Sequence, residues 1–138
     1  MHTGAPGKPG RTGKGVIVGI IDSGIAWKHP SFLTGTGNAK RSRILRIWDQ
    51  SLGAVTGEAP PAGFTYGVEY SQQQITSALN GAGAVVRHQP VNPHGTHVAG
   101  IAAGNGGGTP TTPLRRGRAV RLQQLLQGLW QCAIGGSA

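Results

Sequence analysis

Gly15-Val-Ile-Val-Gly-Ile-Ile-Asp22-Ser23-Gly24 is the stretch that decides how this chain folds. Val16 to Ile21 is dominated by Val and Ile, is bounded by glycines and shows no alternation. That pattern predicts a strand buried on both faces, as in a parallel sheet covered by helices. Asp22-Ser23-Gly24 ends it as a turn. In open α/β sheets catalytic groups gather outside the carboxyl ends of strands, which is where Asp22 falls. A second stretch, His94-Gly-Thr-His-Val-Ala-Gly100, opens on a histidine and continues in small residues. Asn92 and Pro93 before it predict a helix start, the first capping free N–H groups and the second suited to the first helical position. Ala99, Gly100, Ala102, Ala103 and Gly104 make that helix thin enough to lie close against a sheet, and it is expected to be buried.

Between the two stretches the reading is coarser. Arg43 to Asp49 has the branched and aromatic residues of a second strand. Residues 51–67 carry four glycines and two prolines and read as loop. Ser71 to Leu79 is the clearest helix: Ser71 with Gln74 makes a capping box, Ile75, Ala78 and Leu79 share a face, and Asn80-Gly81 ends it. Ala84 to Arg87 reads as one more short strand.

The chain has 138 residues, enough for one domain with a real core. Only 12% of them are charged, about half the roughly 25% of an average soluble protein. One cysteine, Cys132, allows neither an internal disulfide nor a zinc set. No apolar run approaches the roughly 18 residues of a membrane span, and residues 1–14 have no apolar core of a signal peptide. The formal charge of +9 raises the question of nucleic acid. The bases fall in three groups: Lys8, Arg11 and Lys14; Lys40, Arg41, Arg43 and Arg46; Arg115, Arg116, Arg118 and Arg121. No stacking aromatics are interleaved with them, so solvated basic faces are the favoured reading and nucleic acid is disfavoured as a partner.

Taken singly, each functional residue has an ordinary explanation. An Asp at a strand end is more often a turn former, and a His at a helix start is more often a surface or capping residue. His94 and His97 are spaced i, i+3 with no intervening glutamate, unlike a helical zinc pair, and no acidic cluster suggests calcium. No metal or cofactor is therefore expected. Individually these ordinary readings win; jointly, in this order and with the motifs that flank Asp22 and His94, they lose to the resemblance those motifs carry.

The two stretches resemble the subtilisin-like serine proteases, the subtilase family. There a strand ends in Asp-Ser/Thr-Gly and a helix begins with His-Gly-Thr-His-Val-Ala-Gly, which residues 94–100 match without a change. Residues 25–32 and 43–50 look like the segments that follow the Asp motif in one bacterial branch, so the resemblance covers about residues 12–107. It implies an α/β fold: a partial subtilisin-like three-layer arrangement with a mainly parallel sheet and packed helices. It also implies endopeptidase hydrolysis of polypeptide substrates. Asp22 would orient His94 and stabilise its imidazolium; His94 would be general base and then general acid; His97 would be structural. The family is commonly secreted.

Three departures stand beside the match. Pro93 occupies the place of the usual glycine before the catalytic histidine. The composition changes near residue 108: residues 114–138 hold four arginines, four glutamines and no acid, while all four acids of the chain lie in its first half. Residues 119–130 are compatible with one helix. The Gly-Thr-Ser-Met-Ala-x-Pro serine motif and the oxyanion asparagine of the family are absent. Ser137 echoes the former only faintly, and Asn105 is expected to cap the His94 helix instead. The expected organisation is a flexible arm at 1–14, a partial subtilase catalytic domain at 15–108 and a basic, non-family-like tail at 109–138. A truncated or frame-shifted coding sequence would account for the break. With no nucleophile, the chain is expected to be inactive alone. The competing class is a non-catalytic basic binding module, for which salt-sensitive binding to DNA or RNA would speak.

Overall fold

The computed structural model describes residues 15–107 and the backbone of residues 121–126. The expected arm at 1–14, most of the expected tail at 109–138, Cys132 and Ser137 lie outside the described residues. Strand β1 is Ile17–Ile21, β2 Leu33–Thr34, β3 Arg41–Ser42, β4 Ile44–Asp49, β5 Val68–Ser71 and β6 Arg121–Leu126; helix α1 is Gln72–Leu79 and α2 His94–Ala103. The architecture is α/β. Four strands form one sheet in the order β1-β6-β4-β5. β6 pairs parallel with β1 on one side and with β4 on the other, and β4 pairs antiparallel with β5. β2 and β3 make a separate two-stranded antiparallel ribbon.

The backbone of residues 121–126 is thus a strand where the sequence suggests a helix. Its apolar positions define no helical face, and as a strand its amide groups are satisfied by two neighbours at once, from Ile17↔Arg121 on one side to Asp49↔Leu126 on the other. Residues 84–87 belong to no strand, although Val86 is buried.

β1 departs from the expectation of burial on both faces. Ile20 is buried, whereas Ile17 and Ile21 are 56% and 57% exposed. Ile20, with half-buried Val18, packs into the core, and the alternate residues point outward. The core joins Ile20 to Ile25, Trp27, Phe32, Ile44, Ile47, Val68, Tyr70, Ile75, Val86, Ala99 and Ala103. α2 is likewise only half covered: Gly95, Ala99 and Ala103 are buried, while Ile101 is 84% exposed on the opposite face. The expected burial of this thin helix therefore holds for one face only.

Two local signals are realised in atomic detail. At α1, Ser71 Oγ accepts from the Gln74 N–H and Gln74 Oε1 accepts from the Ser71 N–H at 2.8 Å, a capping box at the point where β5 runs straight into the helix. At the end of β1, Gly24 has φ +124°, and a Cβ there would come within 2.7 Å of Pro90 Cα. Only glycine lets the turn after Asp22 pass so close to the segment that leads into α2.

Candidate catalytic acid–base pair

Asp22 follows β1 directly and His94 opens α2, so two backbone elements must meet at close quarters to join them. Gly95 makes the approach possible. A Cβ at that position would collide with the Gly24 carbonyl oxygen and stand 3.1 Å from Asp22 Cβ. With hydrogen alone on its α-carbon, α2 lies against the turn and His94 Nδ1 reaches both carboxylate oxygens of Asp22, Oδ1 at 2.9 Å and Oδ2 at 2.8 Å.

Because a carboxylate only accepts, the proton of this contact sits on His94 Nδ1. In the neutral ring, Nε2 then carries the lone pair. The imidazole is 71% exposed and the Asp22 side chain only 13%. The hydrogen bond from His94 is the main reason the Asp22 carboxyl is held below its ordinary pKa. Partial burial opposes that shift, and hydrogen bonds from the Ser23 N–H and hydroxyl add to it.

The turn and the helix start are fastened by a short ladder of bonds. Ser23 Oγ lies 3.0 Å from Asp22 Oδ1 and 2.7 Å from Asn92 Oδ1, so its single proton serves two acceptors. Asn92 Oδ1 also accepts from the His94 N–H at 2.9 Å, which is the capping contact its position suggests. The Val91 N–H donates to the Ser23 carbonyl at 3.1 Å, and the Ala26 N–H donates to Thr96 Oγ1 at 2.8 Å. Pro93 adopts helical dihedrals (φ −74°, ψ −9°), and its carbonyl accepts from the His97 N–H. A proline in place of the family's glycine is therefore absorbed in the first turn.

His97 is exposed and, with His29, Ile101 and the buried Phe32, lines an open groove of about 600 Å³ between α2 and the single turn at residues 30–32. Neither Asp22 nor His94 lines that groove, so it is a separate feature. Asn105 does not cap α2. Its N–H donates to the Ser31 carbonyl, its Nδ2 to the Leu33 carbonyl, and its Oδ1 accepts from the Gly107 N–H. Two bonds to residues 31–33 and one to Gly107 outcompete the helix end, whose cap is Gly104. Among the described residues, no group of three or more His, Cys, Asp or Glu side chains could hold a metal ion.

A second acid–imidazole contact went unnoticed in the sequence. His88 Nδ1 lies 2.6 Å from Asp49 Oδ2, with the two side chains 1% and 6% exposed. The available signal was that β4 ends on an aspartate, as β1 is followed by one; nothing local pointed to His88 as its partner.

The profile of the subtilase family matches residues 13–132, almost the whole chain. The protein therefore belongs to the subtilases, a family of serine peptidases. The match continues past the composition change near residue 108 and includes the residues that pair as β6. Among curated proteins, the chain is similar to the subtilisin-like proteases SBT2.4, SBT2.2 and SBT2.3 of Arabidopsis thaliana. The identities are 30% over 103 residues, 31% over 110 and 32% over 110. These alignments cover 70%, 69% and 69% of this chain, but the chain spans only 12% of the length of each relative.

Proposed function

We propose that this chain carries the acid–base half of a serine endopeptidase site that acts on polypeptides. Asp22 holds the His94 ring and stabilises it when it becomes positive. His94 Nε2 takes the proton of an attacking serine hydroxyl and returns it to the leaving amine. The observation that carries this reading is the contact of His94 Nδ1 with both Asp22 oxygens, which leaves Nε2 as the proton acceptor. The exposure of the imidazole supports it, since a general base must be reached by the group it deprotonates. The reading includes the finer fold, a three-layer subtilisin-like arrangement with a mainly parallel sheet, for which the pairings of β6 with β1 and β4 speak.

The serine motif of the family is not among the 138 residues, so we assign the nucleophile to none of them and expect the chain to be inactive alone. Two readouts test this. A fluorophosphonate probe is expected to leave the chain unlabelled, and covalent labelling would overturn the missing nucleophile. Nitrogen-15 NMR of the imidazoles is expected to find the neutral His94 ring protonated on Nδ1. A ring protonated on Nε2 would remove His94 as the base.

A further inference from the structure

His88 sits behind the Asp22 turn, not in it. Its Nδ1 faces Asp49 Oδ2 at 2.6 Å, and its Nε2 accepts the backbone N–H of Ile25 at 3.1 Å. A ring nitrogen that accepts an N–H carries no proton, so Nδ1 carries it and donates to the carboxylate. Asp49 is itself fixed: its Oδ1 accepts from the Ser51 N–H at 3.0 Å and from the Ser51 hydroxyl at 2.6 Å. The His88 carbonyl also accepts from Trp27 Nε1 at 3.2 Å, and a Cβ on Gly24 would stand 3.2 Å from His88 Cε1. Ile25 is fully buried, and so is the ring that receives its amide. The chain therefore runs from β4 through Asp49 and His88 to Ile25, three residues beyond Asp22.

We infer that His88, held in one tautomer by Asp49, is a positioning residue for the proposed catalytic acid: it anchors the backbone of residues 22–25 so that Asp22 faces His94. The inference rests on the reading of Asp22–His94 as the acid–base pair. His88 touches neither of those residues by hydrogen bond, and its effect passes through the Ile25 amide.

The tautomer makes the role separable from mere filling of space. In Asp49→Asn the volume is kept, but one oxygen becomes an NH₂ group. The Ser51 backbone N–H cannot reverse, so the NH₂ turns toward His88. The ring then answers by moving its proton to Nε2, where it opposes the Ile25 N–H. His88→Gln does the opposite: it removes the ring and keeps an acceptor near the position of Nε2.

The test is NMR on the full chain, reading the His94 Nδ1–H resonance and the hydrogen-exchange rate of the Ile25 amide. In Asp49→Asn we expect His88 protonated on Nε2, Ile25 exchange at least 10-fold faster, and the His94 signal broadened or lost. In His88→Gln we expect the His94 signal to persist. Asp22→Asn is the control for the underlying reading. If it leaves the His94 signal unchanged, the acid–base pair itself is wrong. If Asp22→Asn removes the signal while Asp49→Asn flips the His88 tautomer and leaves His94 and Ile25 as they were, the pair stands and the positioning role is overturned. Should Asp49→Asn fail to fold, His88→Gln decides: loss of the His94 signal in a folded His88→Gln chain overturns the role.

Discussion

Two aspartate–histidine couples stand at the ends of two strands of the same sheet, and they differ in almost everything but chemistry. Asp22–His94 joins β1 to α2, with its imidazole 71% exposed and one ring nitrogen without a hydrogen-bond partner among the described residues. Asp49–His88 lies under the surface, 6% and 1% exposed, and both ring nitrogens are engaged. In each, the imidazole bonds lower the carboxyl pKa. At Asp22 the His94 bond is the largest influence; at Asp49 burial pushes upward most strongly and is outweighed by the bonds from His88 and Ser51 together. On the proposed reading, the same pair of groups is a base in one setting and a fixed strut in the other, and solvent access to the imidazole separates them.

The largest effect expected from this contrast is on stability. His88→Ala would leave the Asp49 carboxylate in place with only Ser51 beside it. Loss of one member of a buried pair costs about 3–5 kcal/mol. Burial would then dominate at Asp49 and raise its pKa, so the loss shrinks as the pH falls toward the carboxylate range. Asp22→Ala should cost less than about 1 kcal/mol, because its partner is exposed and hydrated. Urea unfolding of the two variants measures both. Equal losses would show that the couples do not differ as strut and base.

The exposed couple was legible in the sequence and the buried one was not. Asp22 closes a run dominated by Val and Ile and His94 opens a helix of small residues, so each is marked by its neighbours. The capping box at Ser71 and the strand ending at Asp49 were legible for the same local reason. His88 lies in an extended segment with no period, and its partner is 39 residues away, so only the tertiary fold unites them. The strand at residues 121–126 was hidden too, since its place between β1 and β4 is set by pairing on both sides and not by a pattern of its own. β1 misled in another way: an unbroken apolar run reads as burial on both faces, yet Ile17 and Ile21 are exposed among the described residues. Hydrophobic identity marks the strand but does not say which neighbours cover it.

Gly95→Ala should have an intermediate effect and separates the couples by geometry. The new methyl would meet the Gly24 carbonyl and the Asp22 side chain, and α2 must back away. Overpacking of this kind costs about 1–3 kcal/mol. The Asp22–His94 proton signal should vanish, while the His88–Asp49 signal, whose partners lie on the far side of the turn, should remain. Simultaneous loss of both would mean that the turn, α2 and the strut open as one unit.

The smallest effect is the acid response, and it carries the sign of the pKa shift. Asp22 has a lowered pKa in the folded chain, so its contribution to stability is fully present above its unfolded value near 3.8 and is lost as the pH falls through the lower folded value. The difference in unfolding free energy between the native chain and Asp22→Asn should therefore be constant at neutral pH, at less than about 1 kcal/mol. It should begin to fall below about pH 5 and disappear once Asp22 is protonated in both states. Salt adds a second discriminator: the Debye length falls to about 3 Å at 1 M, which screens an exposed pair far more than a buried one. The Asp22→Asn difference should accordingly shrink in 1 M salt, while the corresponding difference for Asp49→Asn stays. A salt-independent Asp22 contribution would place its couple in a buried environment like that of Asp49, and with it would go the solvent-reachable Nε2 on which a role as general base depends.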